Sequence, residues 1–121
     1  MNRYRRISGY LYRGIDVERV EKFFVKDWTI YPGGRTKDVG PYSAEELGEV
    51  LAKVFENTDA QFLYVYMDGV RGYALSFLDQ LITELQDAGI LHKVNFLSEN
   101  QSYLDDLQFI LDCHMRGRTI E

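Results

Sequence analysis

One cysteine, two prolines, two histidines and no long apolar run in 121 residues exclude several kinds of protein at once. With Cys113 alone there is no intrachain disulfide, and a reducing, cytoplasmic compartment is the simpler expectation. Cys113, His92 and His114 lack the paired spacing of a structural zinc site. Cys113 and His114 are also sequence neighbours that diverge by about 100° on a helix, so neither metal nor cofactor is expected. A thiol nucleophile needs an orienting base, which a cysteine late in a helix does not advertise, and packing is the better account of Cys113. No segment approaches the roughly 18–20 apolar residues of a membrane-spanning helix, and Met1-Asn2-Arg3-Tyr4-Arg5-Arg6 leads into no apolar leader.

What is present fits one globular domain: 45% apolar and 27% charged residues over 121 positions. The formal charge of −5 argues against unaided binding to a phosphate backbone. Its distribution is uneven. Arg3, Arg5, Arg6 and Arg13 stand among the first thirteen residues without an acid, leaving ten basic against nineteen acidic groups in residues 14–121, a net of −9. Residues 1–20 therefore read as a basic, tyrosine-rich arm or an edge strand, and residues 21–121 as the domain proper. Such an arm covers the sheet edge in its own chain or pairs with a second copy, which makes a homodimer one alternative.

Glu21 to Tyr31 is rich in β-branched and aromatic residues without a helical period and predicts one or two short strands. Pro32-Gly33-Gly34 and Asp38-Val39-Gly40-Pro41 then bracket an irregular loop of about ten residues, long enough to be functional. Ser43 and Glu46 have capping-box spacing, and Leu47, Val50, Leu51 and Val54 give the helix that follows one apolar face. The run from Ala60 to Met67 predicts a central strand buried on both faces, with Phe62, Tyr64 and Tyr66 as a core stripe. After the turn Asp68-Gly69-Val70-Arg71-Gly72, the positions Ala74, Leu78, Leu81, Ile82 and Leu85 mark a second helix closed by Gly89. Lys93 to Leu97 is a further strand, and Ser98-Glu99-Asn100-Gln101 starts a third helix with Leu104, Leu107, Ile110 and Leu111 inward. Alternating strands and helices on short loops predict a single α/β domain, with a mixed sheet and about three main helices.

Several of these segments together resemble a family. Phe-Val-Lys-Asp-Trp-Thr, Pro32-Gly33-Gly34-Arg35, the run from Asp38 to Leu47, and the strand ending in Tyr66-Met67-Asp68-Gly69-Val70-Arg71-Gly72 with Tyr73 to Asp79 after it are similar to the bacterial STAS-like domain of unknown function. The likeness covers residues 22–112. It departs from the family pattern at Val39 between Asp38 and Gly40, at Ala44 in place of Gly, and at Gln80 where an acid often follows Asp79. The resemblance implies a compact STAS-like fold akin to the anti-sigma-factor antagonists, in which a kinase-like ATPase partner phosphorylates a serine at a helix start. Ser76 is the phosphoacceptor candidate that it implies, with Leu75 lying nearest the usual site. Added negative charge at a helix N-terminus is favoured by the dipole and repels a partner packed there.

Other constellations are weaker. Gly33, Gly34, Arg35 and Ser43 could cradle an anion, although the spacing of a phosphate loop is absent; Arg35 could equally pair with Asp38 or Glu45. Asp68, Asp79 and Glu84 do not share a helix face as paired catalytic carboxylates would, and no Ser–His–Asp or Cys–His set forms by adjacency. The leading expectation is a non-enzymatic regulatory domain that binds a protein, a bacterial ATPase or kinase-like partner, through the loop 32–42 and the segment 68–79. The contact residues would be Trp28, Arg35, Tyr42, Asp68, Arg71, Tyr73 and Asp79. The alternatives are an acidic phage-encoded or defence-related inhibitor that blocks a nucleic-acid-binding protein by charge mimicry, and a nucleotide or small-anion sensor.

Overall fold

A computed structural model describes residues 5–8 and 19–116. Among the described residues four strands form one sheet in the order β1-β4-β3-β2: β1 (Arg5–Ser8), β2 (Val20–Phe24), β3 (Phe62–Tyr66) and β4 (Val94–Ser98). The last three are parallel and β1 is antiparallel to β4, so the sheet is mixed and residues 5–8 supply an edge strand. The parallel neighbours are joined through helices α2 (Ala44–Glu56) and α3 (Leu75–Asp87), and α4 (Gln101–Met115) follows β4. A short turn of helix, α1 (Val25–Trp28), follows β2. This is the single α/β domain with three main helices that the pattern predicts. None of the described helices is long and apolar enough to cross a membrane. The rest of residues 1–20 expected to form the arm, Arg3 and Arg13 included, lies outside the described residues.

α3 sits between α2 and α4 and packs on both. Leu47 and Leu51 of α2, Leu78, Leu81, Ile82 and Leu85 of α3, and Leu107 and Ile110 of α4 close over Leu63, Val65, Val94 and Phe96 of the sheet, all fully buried. The helix pair α2/α3 is close: a Cβ added at Gly48 would lie 2.5 Å from Glu84 Cβ, so the crossing needs a glycine.

Two details differ from the expectation. β4, not β3, is buried at every position; in β3 only Leu63 and Val65 are fully buried, while Phe62, Tyr64 and Tyr66 are half-buried on the opposite face. Tyrosine keeps its hydroxyl end near water even where its ring packs, as Tyr66 does by stacking on its cross-strand neighbour Phe24 at 4.4 Å. The second concerns residues 21–31, which hold one of the one or two strands expected and then, where no helical period is visible, a turn of helix. After Phe24 the chain makes the helical turn α1, closed by the Thr29 amide donating to the Val25 carbonyl at 2.9 Å, and the buried Val25 side chain outweighs its β propensity.

Candidate functional site

The parallel strands point their C-terminal ends toward one edge of the domain, the usual place for a site in an α/β sheet. Two segments meet there. The first runs from α1 through the loop to α2, and the second is the turn between β3 and α3. The Arg71 amide donates to the Ile30 carbonyl at 2.8 Å, and the Arg71 guanidinium lies 5.5 Å from the centre of the Tyr31 ring. A Cβ on Gly69, at φ +86°, would come within 2.7 Å of the Lys26 side chain, so the turn and α1 are in direct contact.

The loop is built from its neck. Gly33 N–H donates to the Tyr42 carbonyl at 2.8 Å, and a side chain at Gly33 would strike the Pro41 carbonyl oxygen at 2.5 Å. The first amides of α2 close onto the same strand of loop: Ala44 N–H donates to Gly34 at 2.9 Å and Glu45 N–H to Arg35 at 3.0 Å. Ser43 and Glu46 complete the capping box, the Glu46 amide donating to Ser43 Oγ and the Ser43 amide to Glu46 Oε1. Tyr42 is held at φ 57°, a left-handed conformation uncommon for a residue with a side chain, and the Trp28 ring meets it edge-on at 5.2 Å. Lys37 bonds Glu49 at 2.7 Å on the outside, and this contact raises the Lys37 pKa.

Beneath the loop lies a charged cluster. Arg35 Nη1 donates to Asp79 Oδ2 at 2.7 Å, and His114 Nε2 lies 2.8 Å from Asp79 Oδ1. Asp79 is buried, and Arg35 is about one third exposed. His114 turns its other ring nitrogen to Gln86 Oε1 at 3.2 Å, so the histidine and aspartate meet without a hydroxyl or thiol on the far nitrogen. Asp79 thus ties the loop, α3 and the last turn of α4 together.

The turn after β3 is fixed to the end of β4. Asp68 accepts from the Ser98 hydroxyl and, at 2.7 Å, from the Glu99 amide. Tyr73 donates its hydroxyl to the Met67 carbonyl at 2.7 Å, with Tyr103 edge-on at 5.0 Å. Burial pushes the Tyr73 phenol well above its ordinary range, helped by Tyr103 and Asp68; burial and Asp68 raise Tyr103 likewise. An open depression of about 520 Å³ lies beside this turn, lined by Asp68, Gly69, Val70, Glu99, Asn100 and Tyr103.

Above these supports, exposed apolar side chains stand among exposed charged ones such as Lys37, Asp38 and Arg71. Among the described residues the exposed large hydrophobic side chains are Ile30, Tyr31, Val39, Tyr42 and Leu75 on the loop and at the start of α3, with Phe109 and Met115 apart on α4. Ser76, the second residue of α3, is half-buried beside exposed Leu75, and the cap residue Ala74 makes no side-chain cap.

The expected contact residues thus divide. Tyr42 and Arg71 lie at the surface and Trp28 half-buried beneath it, whereas Asp68, Tyr73 and Asp79 form its supports. Three of the four residues read as an anion cradle are engaged elsewhere: the Gly33 N–H at the neck, Ser43 in the capping box, and the Arg35 guanidinium with Asp79 rather than with Asp38 or Glu45. The three acids weighed as a catalytic set each have their own partners, Glu84 accepting from Gln80 at 2.7 Å. Among the described residues no three His, Cys, Asp or Glu side chains gather as a metal site would require. Tyr31, like Trp28 and Tyr42, borders the irregular loop and reads from the sequence as an exposed aromatic anchor, which its 59% exposure matches, whereas Ile30 and Leu75 were not distinguishable in the sequence from core residues. His114 gave no signal, since its partner is 35 positions away. No family model, curated protein or solved structure matches the chain.

Proposed function

We propose that the protein is a non-enzymatic regulatory domain of STAS-like type that binds a protein partner through the surface made by residues 30–42 and the start of α3. The observation that carries this reading is the exposure of Ile30, Tyr31, Tyr42 and Leu75, large apolar side chains on the braced segments that leave the C-terminal ends of β2 and β3. Contact surfaces favour rigid aromatic anchors, because little side-chain freedom is lost when they dock. Tyr31 under the Arg71 guanidinium is such an anchor, and arginine shares that enrichment.

A kinase-like ATPase is the partner that the resemblance favours, with Ser76 as phosphoacceptor. Its place at an uncapped helix start, next to exposed Leu75, supports this: a phosphate there is welcome to the helix and unwelcome to an apolar partner surface. Neither alternative gains similar support. The acids that would have to line one face for charge mimicry are spread over α1 and the loop (Asp27, Asp38), α2 (Glu45, Glu46, Glu49, Glu56), α3 (Glu84, Asp87) and α4 (Asp105, Asp106, Asp112). An anion sensor would have to draw on the Arg35 guanidinium that meets Asp79, while the Gly33 amide is used at the neck and Ser43 in the capping box.

The test is capture from native lysate with the wild-type chain and with Tyr31→Asp and Leu75→Asp, each with and without ATP. One stoichiometric protein retained by the wild type and lost by both variants supports the reading, as does phosphate mapped to Ser76 after ATP. Equal capture by all three chains overturns the surface assignment, and phosphate mapped elsewhere overturns the role of Ser76.

A further inference from the structure

We propose that a phosphate on Ser76 is read by Arg35, whose guanidinium exchanges Asp79 for the phosphate and shifts the loop 33–42 with it. The inference rests on the reading of Ser76 as a phosphoacceptor. In the modification itself, Ser76 Oγ attacks the γ-phosphorus of ATP held by a kinase. The bond from that phosphorus to the ADP oxygen breaks, and the hydroxyl proton passes to a base on the kinase.

The geometry comes from α3. Ser76 and Asp79 are three residues apart, so their side chains share a helix face with Cβ atoms about 5–6 Å apart. Asp79 Oδ2 already holds Arg35 Nη1 at 2.7 Å, which brings the guanidinium within a side chain's reach of a group on Ser76. Arg35 is 34% exposed and Asp79 7%, so the arginine sits on the outer side of the pair, where a phosphate would stand. A phosphomonoester offers three acceptor oxygens and roughly −1.5 to −2 charges near neutral pH, against a single carboxylate, and guanidinium matches it with a fork of donors. The new charge also repels Asp79.

Asp79 is not stranded by the exchange. His114 still meets its Oδ1 at 2.8 Å, so the buried carboxylate keeps one charge-assisted contact. The loop follows because Arg35 is part of its neck. The Arg35 carbonyl accepts from Glu45, the adjoining Gly34 carbonyl from Ala44, and Gly33 donates to Tyr42, whose ring meets Trp28. A shift at Arg35 is therefore felt at Tyr42 and at Trp28, the chain's single tryptophan.

The experiment uses the full chain with phosphoserine built in at position 76 during translation, so it needs no kinase and no binding partner. Failure of the partner-binding reading would leave it unaffected. The phosphate is titrated by ³¹P NMR in the native protein and in urea, while Trp28 emission is recorded with and without the phosphate. The expected midpoint in the native protein lies below that in urea by about one pH unit. Arg35→Lys keeps most of that drop and Arg35→Gln loses most of it. Trp28 emission shifts on phosphorylation of the wild type and not of Arg35→Gln. Should Arg35→Gln fail to fold, Asp79→Asn serves instead, since weakening the competing contact deepens the drop. A drop that survives Arg35→Gln, or one unchanged by Asp79→Asn, assigns the effect to the helix amides and overturns the proposal. An unchanged Trp28 spectrum overturns the coupling to the loop.

Discussion

Arg35 and Asp79 stand 44 positions apart in the sequence and 2.7 Å apart in the fold, and the contact fastens a ten-residue loop onto the middle helix of the domain. On the other side of the same carboxylate, His114 brings in the last turn of α4. One buried aspartate therefore joins the loop, α3 and the last turn of α4.

Removing the two ends of this cluster has unequal effects. Arg35→Gln leaves Asp79 with His114 and gives up the partly solvated contact with Asp79, an expected loss of about 1–2 kcal/mol. Asp79→Ala strips both Arg35 and His114 of their partner and is expected to cost about 2–4 kcal/mol, less than a fully buried pair because Arg35 reaches water. Urea unfolding of the two single variants and the double variant measures the difference. Equal losses for Asp79→Ala and Arg35→Gln would mean that the histidine contact contributes nothing.

At the neck of the loop, Gly33→Ala places a methyl 2.5 Å from the Pro41 carbonyl oxygen, backbone against side chain with no soft atom to yield. The Gly33–Tyr42 hydrogen bond opens, and the expected cost is about 1–3 kcal/mol with the sheet intact. Trp28 fluorescence, through its contact with Tyr42, should change while far-ultraviolet circular dichroism does not. An unaltered Trp28 signal would show that the neck does not set the loop.

How far the sequence carried these conclusions depends on the range of the interaction involved. The Ser43–Glu46 box, the inward faces of α2, α3 and α4, and the strands β3 and β4 were all legible, because each is written in residues within a turn or two of one another. The helical turn at Val25–Trp28 was not, since burial of Val25 under the helices decides it and propensity points the other way. The loop between Pro32 and Pro41 announced itself through its glycines, but its anchor did not. Asp38 and Glu45 are nearer to Arg35 in sequence than Asp79, and only the packing of α3 beside α2 brings Asp79 under it. For the same reason Asp79 and Tyr73 looked like contact residues from their place after the turn, whereas they brace the surface from below.

Asn95 offers a test of polar burial. It lies on β4 beside Tyr64, is 1% exposed, and among the described residues neither its amide nitrogen nor its amide oxygen meets a hydrogen-bonding partner. An amide so placed costs free energy, and an apolar side chain of similar volume removes that cost. Asn95→Leu should raise stability by about 1–2 kcal/mol in urea unfolding. A loss of stability would show that the amide is satisfied in solution.

Alkaline pH should weaken the fold through Tyr73. Below about pH 10, the ordinary phenol value, Tyr73 is protonated in both folded and unfolded chains and stability is unaffected. As pH rises above it, the unfolded chain releases the proton while the folded chain, with its phenol buried against the Met67 carbonyl, retains it. Stability then falls by up to about 1.4 kcal/mol per pH unit from this group, with Tyr103 adding in the same direction. Unfolding midpoints measured from about pH 9 to about pH 11 should decline more steeply for the wild type than for Tyr73→Phe. Parallel curves would contradict the assignment.

The most direct measurement is site-specific photocrosslinking in the native cell, with a photoreactive phenylalanine analogue placed singly at Tyr31, Leu75 or Phe109. Tyr31 and Phe109 are matched in exposure, at 59% and 53%, and differ in where they lie. The account predicts one and the same crosslinked protein from positions 31 and 75 and none from position 109. Crosslinks from position 109 with none from positions 31 and 75 would contradict it and move the interaction to the outer face of α4.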